Sequence, residues 1–290
     1  MTSRGTLAYA HARIRSAKSR LLTRADAAPL FAAADAAGVQ RAVAALEIEY
    51  PMQRLVRVYQ TAIRGYSNGA SLFRALLRRH EIENVKLLWR LTAKRGQRQA
   101  LARLWLDLGA LATVPMVDAA TPRELAEHLA KTPYAAIAAR IARVHGNDIA
   151  AAELAFDRWV SERLLEESRR LPHRESLARR LVELVVRERD AEIVRRGAKW
   201  YGLASAQTRV SVPEQTGVSL PPEAQTLLSV QKKLCRRAFV GSPFLLAPAV
   251  AVVLLAEEEV RAVQALVERQ GNEQLDAPML RAIAGSLIGT

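Results

Sequence analysis

Apolar residues recur with the period of an α-helix along most of this 290-residue chain. Near the amino terminus Ala10, Ile14, Ala17 and Leu21 follow 4-3-4 spacing, which predicts an amphipathic helix over residues 7–22. No stretch of useful length alternates apolar and polar residues as a half-buried strand does. The pattern therefore predicts an all-α fold. Further helices are predicted over residues 25–38, 42–49, 52–64, 72–93, 97–111, 148–170 and 175–201.

Helix start signals and breakers divide this pattern. Pro115 interrupts it, and Thr121-Pro122-Arg123-Glu124 then has a capping threonine, a first-turn proline and an acidic residue three positions on. Thr132-Pro133 repeats the cap and the proline. Residues 202–222 are rich in Ser, Thr, Val, Gly and Pro, which indicates a linker or long loop. We expect three helical modules, over residues 1–114, 115–206 and 207–290.

A short motif, Glu-x-Val-Lys/Arg, occurs three times in predicted helices, and each copy lies six to eight residues behind an apolar triplet. The copies are Glu83–Lys86, Glu192–Arg195 and Glu258–Arg261, and their valines are 109 and 66 residues apart. Such unequal steps do not suit a regular solenoid. They suit three related helical modules with different insertions, closed around a centre, and this favours a scaffold over a catalyst.

The composition supports a helical fold, and the net charge bears on which partners the chain could bind. Half of the residues are apolar, 5% are aromatic, and the net charge is +14, with 36 arginines against 7 lysines. Strong helix formers dominate, in agreement with an all-α fold. The positive charge has two interpretations that the sequence leaves open. It either reflects solvated helix faces or forms a surface for an anionic partner, namely nucleic acid, lipid headgroups or an acidic protein.

Basic residues that flank the repeats are the best candidates for partner contacts, because modules around a centre would present them together. Salt bridges within a module are the alternative role for each of them. The candidates are Arg78, Arg79, Lys86, Arg195, Arg196, Lys199, Lys232, Lys233, Arg236, Arg237 and Arg261.

Signals of catalysis are weak. Gly65-Tyr66-Ser67-Asn68-Gly69 matches the G-x-S-x-G nucleophile elbow, but the elbow requires an incoming strand and here a helix is predicted to enter. Ser-Asn-Gly is common in turns, so a turn between helices is expected. The five histidines have no metal-ligand spacing, and no glycine-rich phosphate loop occurs. We predict no catalytic residue, metal or cofactor, and therefore not an enzyme.

Localisation signals favour the cytoplasm. Cys235 is the single cysteine, which excludes an intramolecular disulfide and fits a reducing compartment. No signal peptide is visible at the amino terminus, where arginines replace an apolar core segment. Residues 238–256 carry no charge, but Pro243 and Pro248 leave only residues 249–256 as an unbroken apolar helix. That length is too short for a bilayer core of roughly 30 Å.

Three segments resemble the C-type central-stalk component of the bacterial and archaeal V/A-type ATPases, the counterpart of the d-type component of eukaryotic V-ATPases. Tyr9–Leu22 is similar to the first helix of that family. Glu81–Arg90 is similar to its acidic-Ile-x-Asn-aliphatic-Lys segment, and Glu257–Arg261, behind the apolar residues Phe244–Leu255, to its final Glu-Val-Arg helix. The three segments occur in the order and at the total length expected of the family.

The resemblance implies a funnel of three pseudo-threefold helical modules without catalytic residues. In that family the protein sits on the cytoplasmic face of the membrane rotor ring as a peripheral subunit. It receives the foot of the central shaft and couples ATP-driven rotation to ion movement, or ion movement to ATP synthesis. The partners expected are shaft subunits, the rotor ring and anionic lipid headgroups. The alternative function is that of a basic helical nucleic-acid-binding protein, whose binding would depend strongly on salt.

Overall fold

The computed structural model is helical, and it describes residues 4–22, 29–30, 38, 41–42, 51–93, 119, 121–201, 224–242 and 244–269. Those ranges contain no strand, so the predicted all-α class is confirmed for the part of the chain described. The α-helices, numbered in chain order, are α1 (Arg4–Ser19), α2 (Pro51–Gly65), α3 (Ala70–Ala93), α4 (Pro122–His128), α5 (Ala135–Val144), α6 (Ile149–Arg169), α7 (Ser176–Tyr201), α8 (Ala224–Val240) and α9 (Ala247–Arg269).

Helix boundaries follow the sequence pattern closely in four cases. The limits of α2, α3, α6 and α7 lie within two residues of the predicted ones. Helix α1 starts earlier than predicted and ends at Ser19. The predicted helices over residues 25–38, 42–49 and 97–111, and the predicted loop over residues 202–222, lie almost entirely outside the described residues.

Side-chain caps fix two of these boundaries. The Thr121 hydroxyl accepts a hydrogen bond from the Glu124 N–H at 3.2 Å, and Pro122 is the first residue of α4, as predicted. Asp148 caps α6 in the same way, because its carboxylate accepts from the Ala151 N–H at 3.0 Å. These bonds satisfy N–H groups that have no partner within the helix.

The second predicted threonine cap is displaced. Helix α5 begins at Ala135, and its capping residue is Tyr134 rather than Thr132. The Thr132 hydroxyl donates to the Leu129 carbonyl at 2.7 Å and accepts from the Tyr134 N–H at 3.2 Å. It closes the short 3₁₀ turn Leu129–Lys131, so it is not available to cap the helix.

Two compact units make up the chain. Unit 1 comprises Met1–Phe73, Leu171–Leu184 and Val218–Thr290, and unit 2 comprises Arg74–Arg170 and Val185–Gly217. In unit 1, α9 packs against α1, α2 and α8, and Val250–Leu254 are fully buried. In unit 2, α5 packs against α4 and α6. The three sequence modules stay a prediction.

A tight turn joins α2 to α3 in unit 1. Helix α2 enters it, so Ser67 lies in a turn between helices, as predicted. A Cβ on Gly65 would lie 2.1 Å from the Ala10 Cβ, and one on Gly69 would lie 2.6 Å from Leu246 Cδ2. The glycines of this motif therefore permit close packing of α1 and of the start of α9.

The apolar segment before the third repeat is internal to unit 1, since residues 246–254 are all buried. None of the helices described combines the length and the apolar character needed to cross a bilayer. Cys235, on α8, is also buried, and burial followed by the nearby Glu258 carboxylate raises its thiol pKa to about 12.

Candidate functional site

Lys86 of the first repeat lies in the interior of unit 2. Its side chain is inaccessible to solvent, and its Nζ lies 2.9 Å from Asp157 Oδ1 and 2.8 Å from Glu83 Oε2. Two carboxylates thus surround one ammonium group, which offsets the cost of removing it from water. The candidate Lys86 has the internal salt-bridge role left open by the sequence, and its partner role stays untested.

Arg189 of α7 completes a four-residue ionic network in unit 2. Its Nη2 lies 3.1 Å from Glu83 Oε1 and also contacts Asp157 Oδ1. Burial raises the pKa of Glu83, but Lys86 and Arg189 together hold it below its ordinary value. The network joins α3, α6 and α7, which are far apart in sequence.

Two further contacts join α3 to α6 and to the start of α5. Arg90 of α3 binds Glu153 of α6 through both carboxylate oxygens, with 2.9 Å between Nη2 and Oε2. The Tyr134 hydroxyl donates to the buried Glu81 carboxylate. Burial, and then Glu81, raise the pKa of Tyr134 far above its ordinary value, so the hydroxyl keeps its proton.

Asp190, next to Arg189, has an unusual protonation behaviour. Burial raises its pKa to about 7, although a hydrogen bond from Ser161 and the charge of Arg189 act in the opposite direction. The Ser161 Oγ lies 3.4 Å from Asp190 Oδ1. A carboxyl group with this pKa changes its charge within the neutral pH range.

In unit 1, three consecutive carboxylates at the start of the third repeat face inward. Glu257, Glu258 and Glu259 are all buried. The Glu259 Oε1 accepts from the Leu22 N–H at 3.1 Å and pairs with Arg54 of α2. These bonds connect α9 to α2 and to the end of α1.

The first and third repeats make the same local ion pair. Glu83 and Lys86 approach to 2.8 Å, and Glu258 and Arg261 approach to 2.6 Å, each pair three residues apart on one helix. The side chain of Arg261 is 45% exposed, so this candidate is accessible while paired. The repeated motif therefore produces a repeated structure in these two copies.

Helix α8 carries a group of exposed residues among the predicted contact residues whose side chains are described. Lys233, Arg236 and Arg237 point to solvent, and Gln231 and Cys235 face the interior. Lys232 is half-buried, and burial lowers its pKa despite the opposing effect of Glu258. The structure thus brings three of these four α8 candidates together on one face.

The remaining candidates are less accessible or not described. Arg78 is half-buried and Arg79 is buried, on successive positions of α3. Arg195, Arg196 and Lys199 belong to α7, but their side chains lie outside the described residues.

Sequence reasoning missed two groups of residues. It did not single out the carboxylates Glu153 and Asp157, which face inward on α6. It also missed Arg54, which is buried on α2. Their position in the sequence could have indicated burial, because each lies among apolar residues on the buried stripe of its helix. Within the described ranges, no group of His, Cys, Asp or Glu side chains could hold a metal ion.

The match with a protein family is consistent with this architecture. Residues 47–232 match the family model described as ATP synthase (C/AC39) subunit. The match includes the first two repeats and ends on α8. No curated protein matches the chain. Because the family model covers more than half of the sequence, this chain belongs to the C/AC39 subunit family of the V/A-type ATP synthases.

Proposed function

We propose that this chain is the central-stalk coupling component of a rotary V/A-type ATPase. It joins the rotating shaft of the ATPase head to the membrane rotor ring, for ATP-driven ion transport or for ATP synthesis, and catalyses no reaction itself. The observation that carries the proposal is the family match over residues 47–232. The proposed location is the cytoplasmic face of the membrane, where the chain is held by its partners.

The proposed architecture is a funnel of three pseudo-threefold helical modules, over residues 1–114, 115–206 and 207–290. Its support is the ion pair that Glu83–Lys86 and Glu258–Arg261 both make at the same spacing. Equivalent motifs on α3 and α9 are what a duplicated module leaves behind. In this arrangement the shaft foot enters at the centre.

Torque transmission requires helices that do not slide past one another. The network of Lys86, Asp157, Glu83 and Arg189 ties three helices of unit 2, and partners removed from water resist displacement. In unit 1 the Arg54–Glu259 pair has the same effect on α2 and α9. These internal bonds support a rigid mechanical role.

The membrane-facing surface is assigned to the carboxyl-terminal end of α8 and the turn after it. Lys233, Arg236 and Arg237 are exposed there, and two apolar residues follow, Val240 at 88% exposure and Phe244 at 59%. Basic and apolar side chains at one tip suit a surface of ring loops and anionic headgroups. Of the other described candidates, the exposed Arg261 would then contact the shaft, whereas Lys86 and Arg79 are buried.

The decisive experiment is affinity purification of the tagged full chain from detergent-solubilised native membranes, with mass spectrometry of the bound proteins. We expect ATPase head subunits together with a small, very apolar ring protein. Recovery of the chain alone, or with nucleic acid that high salt removes, would contradict the coupling role.

A matched pair of triple variants tests the assigned surface. We predict that K233Q/R236Q/R237Q reduces the ring protein recovered per tagged chain by about tenfold or more and leaves the shaft subunits in place, since each basic residue contributes about 1 kcal/mol near an anionic surface. The control R123Q/R140Q/R143Q removes the same charge from exposed residues of α4 and α5. Equal losses in both variants would refute the assignment.

A further inference from the structure

A cleft of about 130 Å³ opens between α1 and α2 in unit 1. Residues at i, i+3, i+4 and i+7 line it from each helix, so it follows a continuous face of both. From α1 and its end these are Arg13, Ser16, Ala17 and Arg20, and from α2 they are Arg54, Arg57, Val58 and Thr61.

The walls of this cleft are strongly basic. Four of its lining residues are arginines, and none of its described lining residues is acidic. Neither α1 nor α2 contains an aspartate or a glutamate anywhere along its length. Small side chains, Ser16 and Ala17, lie between Arg13 and Arg20 and leave room at the centre.

Internal bonds compensate only part of this charge. The Arg54 guanidinium pairs with the buried Glu259 and donates to the Arg20 carbonyl, so its charge is neutralised within the fold. Arg13 donates to the Tyr9 hydroxyl at 3.1 Å, and its guanidinium lies 5.7 Å from the Tyr9 ring centroid. Among the described residues, neither Arg13 nor Arg20 has a carboxylate partner.

Arg54 also positions the cleft. Its two bonds hold the end of α1 against α2 and α9, and arginines from both α1 and α2 line the cleft. The Ser16 and Thr61 hydroxyls add neutral donors beside the guanidinium groups. Arginine and hydroxyl side chains thus line one small cleft, and guanidinium groups and hydroxyls are the donors that tetrahedral oxyanions bind.

We propose that the cleft between α1 and α2 is a binding site for a phosphate-type oxyanion, held by Arg13 and Arg20. Its volume corresponds to several water molecules, at about 30 Å³ each, or to one such anion. The source of the phosphate is either a free anion or a phospholipid headgroup. The site does not depend on the coupling role.

The test is isothermal titration calorimetry of the purified full chain with inorganic pyrophosphate at low ionic strength. We expect saturable binding that R13Q/R20Q weakens by about tenfold or more, because charge-assisted hydrogen bonds are lost. The matched control R15Q/R64Q removes two exposed arginines of the same region, outside the cleft, and we expect a change of about twofold or less, from long-range charge alone.

The single variant R20Q, expected to weaken binding by a few-fold, keeps the test valid if the double variant fails to fold. Absence of saturable pyrophosphate binding would overturn the proposal, as would equal weakening in R13Q/R20Q and R15Q/R64Q.

Vesicles of phosphatidylcholine with and without phosphatidic acid distinguish the two sources. If R13Q/R20Q alone loses retention on the phosphatidic acid vesicles, and pyrophosphate competes, the ligand is a headgroup. If pyrophosphate binds the wild-type chain while vesicle retention is unchanged by R13Q/R20Q, the ligand is a free anion. Either result supports the site, and both leave the recovery of ATPase subunits as a separate measurement.

Discussion

At the scale of single residues, basic side chains that are buried in ion pairs differ from basic side chains that point to solvent. Lys86 cannot reach a partner without opening the network that surrounds it, because its side chain is inaccessible and both neighbouring carboxylates use it. Lys233 is basic and helical as well, but it points to solvent. We therefore expect replacement of Lys86 to destabilise the isolated chain and replacement of Lys233 to leave its stability almost unchanged.

Replacement of Lys86 by Met tests the internal role. We expect the free energy of unfolding to fall by about 3 kcal/mol, because Glu83 and the buried Asp157 would both lose an ion-pair partner. Urea denaturation followed by circular dichroism measures it. The control Lys233→Met should change stability by about 0.5 kcal/mol or less. Equal stability of the two variants would show that the Lys86 ion pairs are not structural.

Asp190 predicts a specific pH dependence. Its ordinary pKa is 3.8, and in the folded chain burial raises the value to about 7. The folded state therefore binds this proton more tightly than the unfolded state. The contribution of Asp190 protonation to the free energy of unfolding is complete below the ordinary pKa and is lost as the pH rises toward neutrality.

Replacement by Asn removes that titration. We expect Asp190→Asn to gain stability relative to the wild type as the pH rises between those two pKa values. Parallel pH–stability curves for the two chains, measured by urea denaturation at each pH, would contradict the raised pKa.

At the scale of elements, glycine contacts set how closely the helices of unit 1 approach. We predict that Gly65→Ala lowers the free energy of unfolding by about 1–3 kcal/mol, because its Cβ would lie 2.1 Å from the Ala10 Cβ and both helices must move apart. Thermal and urea denaturation measure the change. A neutral Gly65→Ala would show that α1 and α2 separate at little cost.

Gly241 provides the control for this substitution. A Cβ there would lie 3.7 Å from the nearest atom, the Ala238 carbonyl oxygen, and the residue is exposed. We expect Gly241→Ala to change stability by about 0.5 kcal/mol or less.

The sequence predicts where helices begin and end better than it predicts which helices pack against one another. Apolar periodicity alone is sufficient for α2, α3, α6 and α7, because each has a buried stripe with a local signal. The Lys86–Asp157 pair joins residues 71 positions apart, and no helical period encodes that distance. A charged residue in an apolar stripe indicates such a buried pair, but only the tertiary fold determines which residue is the partner.

At the scale of the whole molecule, the basic residues behind the net charge of +14 lie in more than one kind of environment. Some of it is neutralised inside, as at Lys86 and Arg54, and some is exposed, as at Lys233. The α8 cluster could be predicted because its members are close in sequence. The arginine cleft could not, because its two walls come from helices separated by more than thirty residues. The family match adds identity to this picture without assigning the contacts.

The state of Cys235 makes the chain convenient for physical probes. It is the only cysteine, it is buried, and a pKa of about 12 leaves almost no thiolate at neutral pH. Since the thiolate is the reactive species, we expect thiol-directed dyes and spin labels to react very little with Cys235. A cysteine introduced at Phe244, on the exposed turn after α8, would accept one label at one position. A single label could then be attached without first replacing the native cysteine.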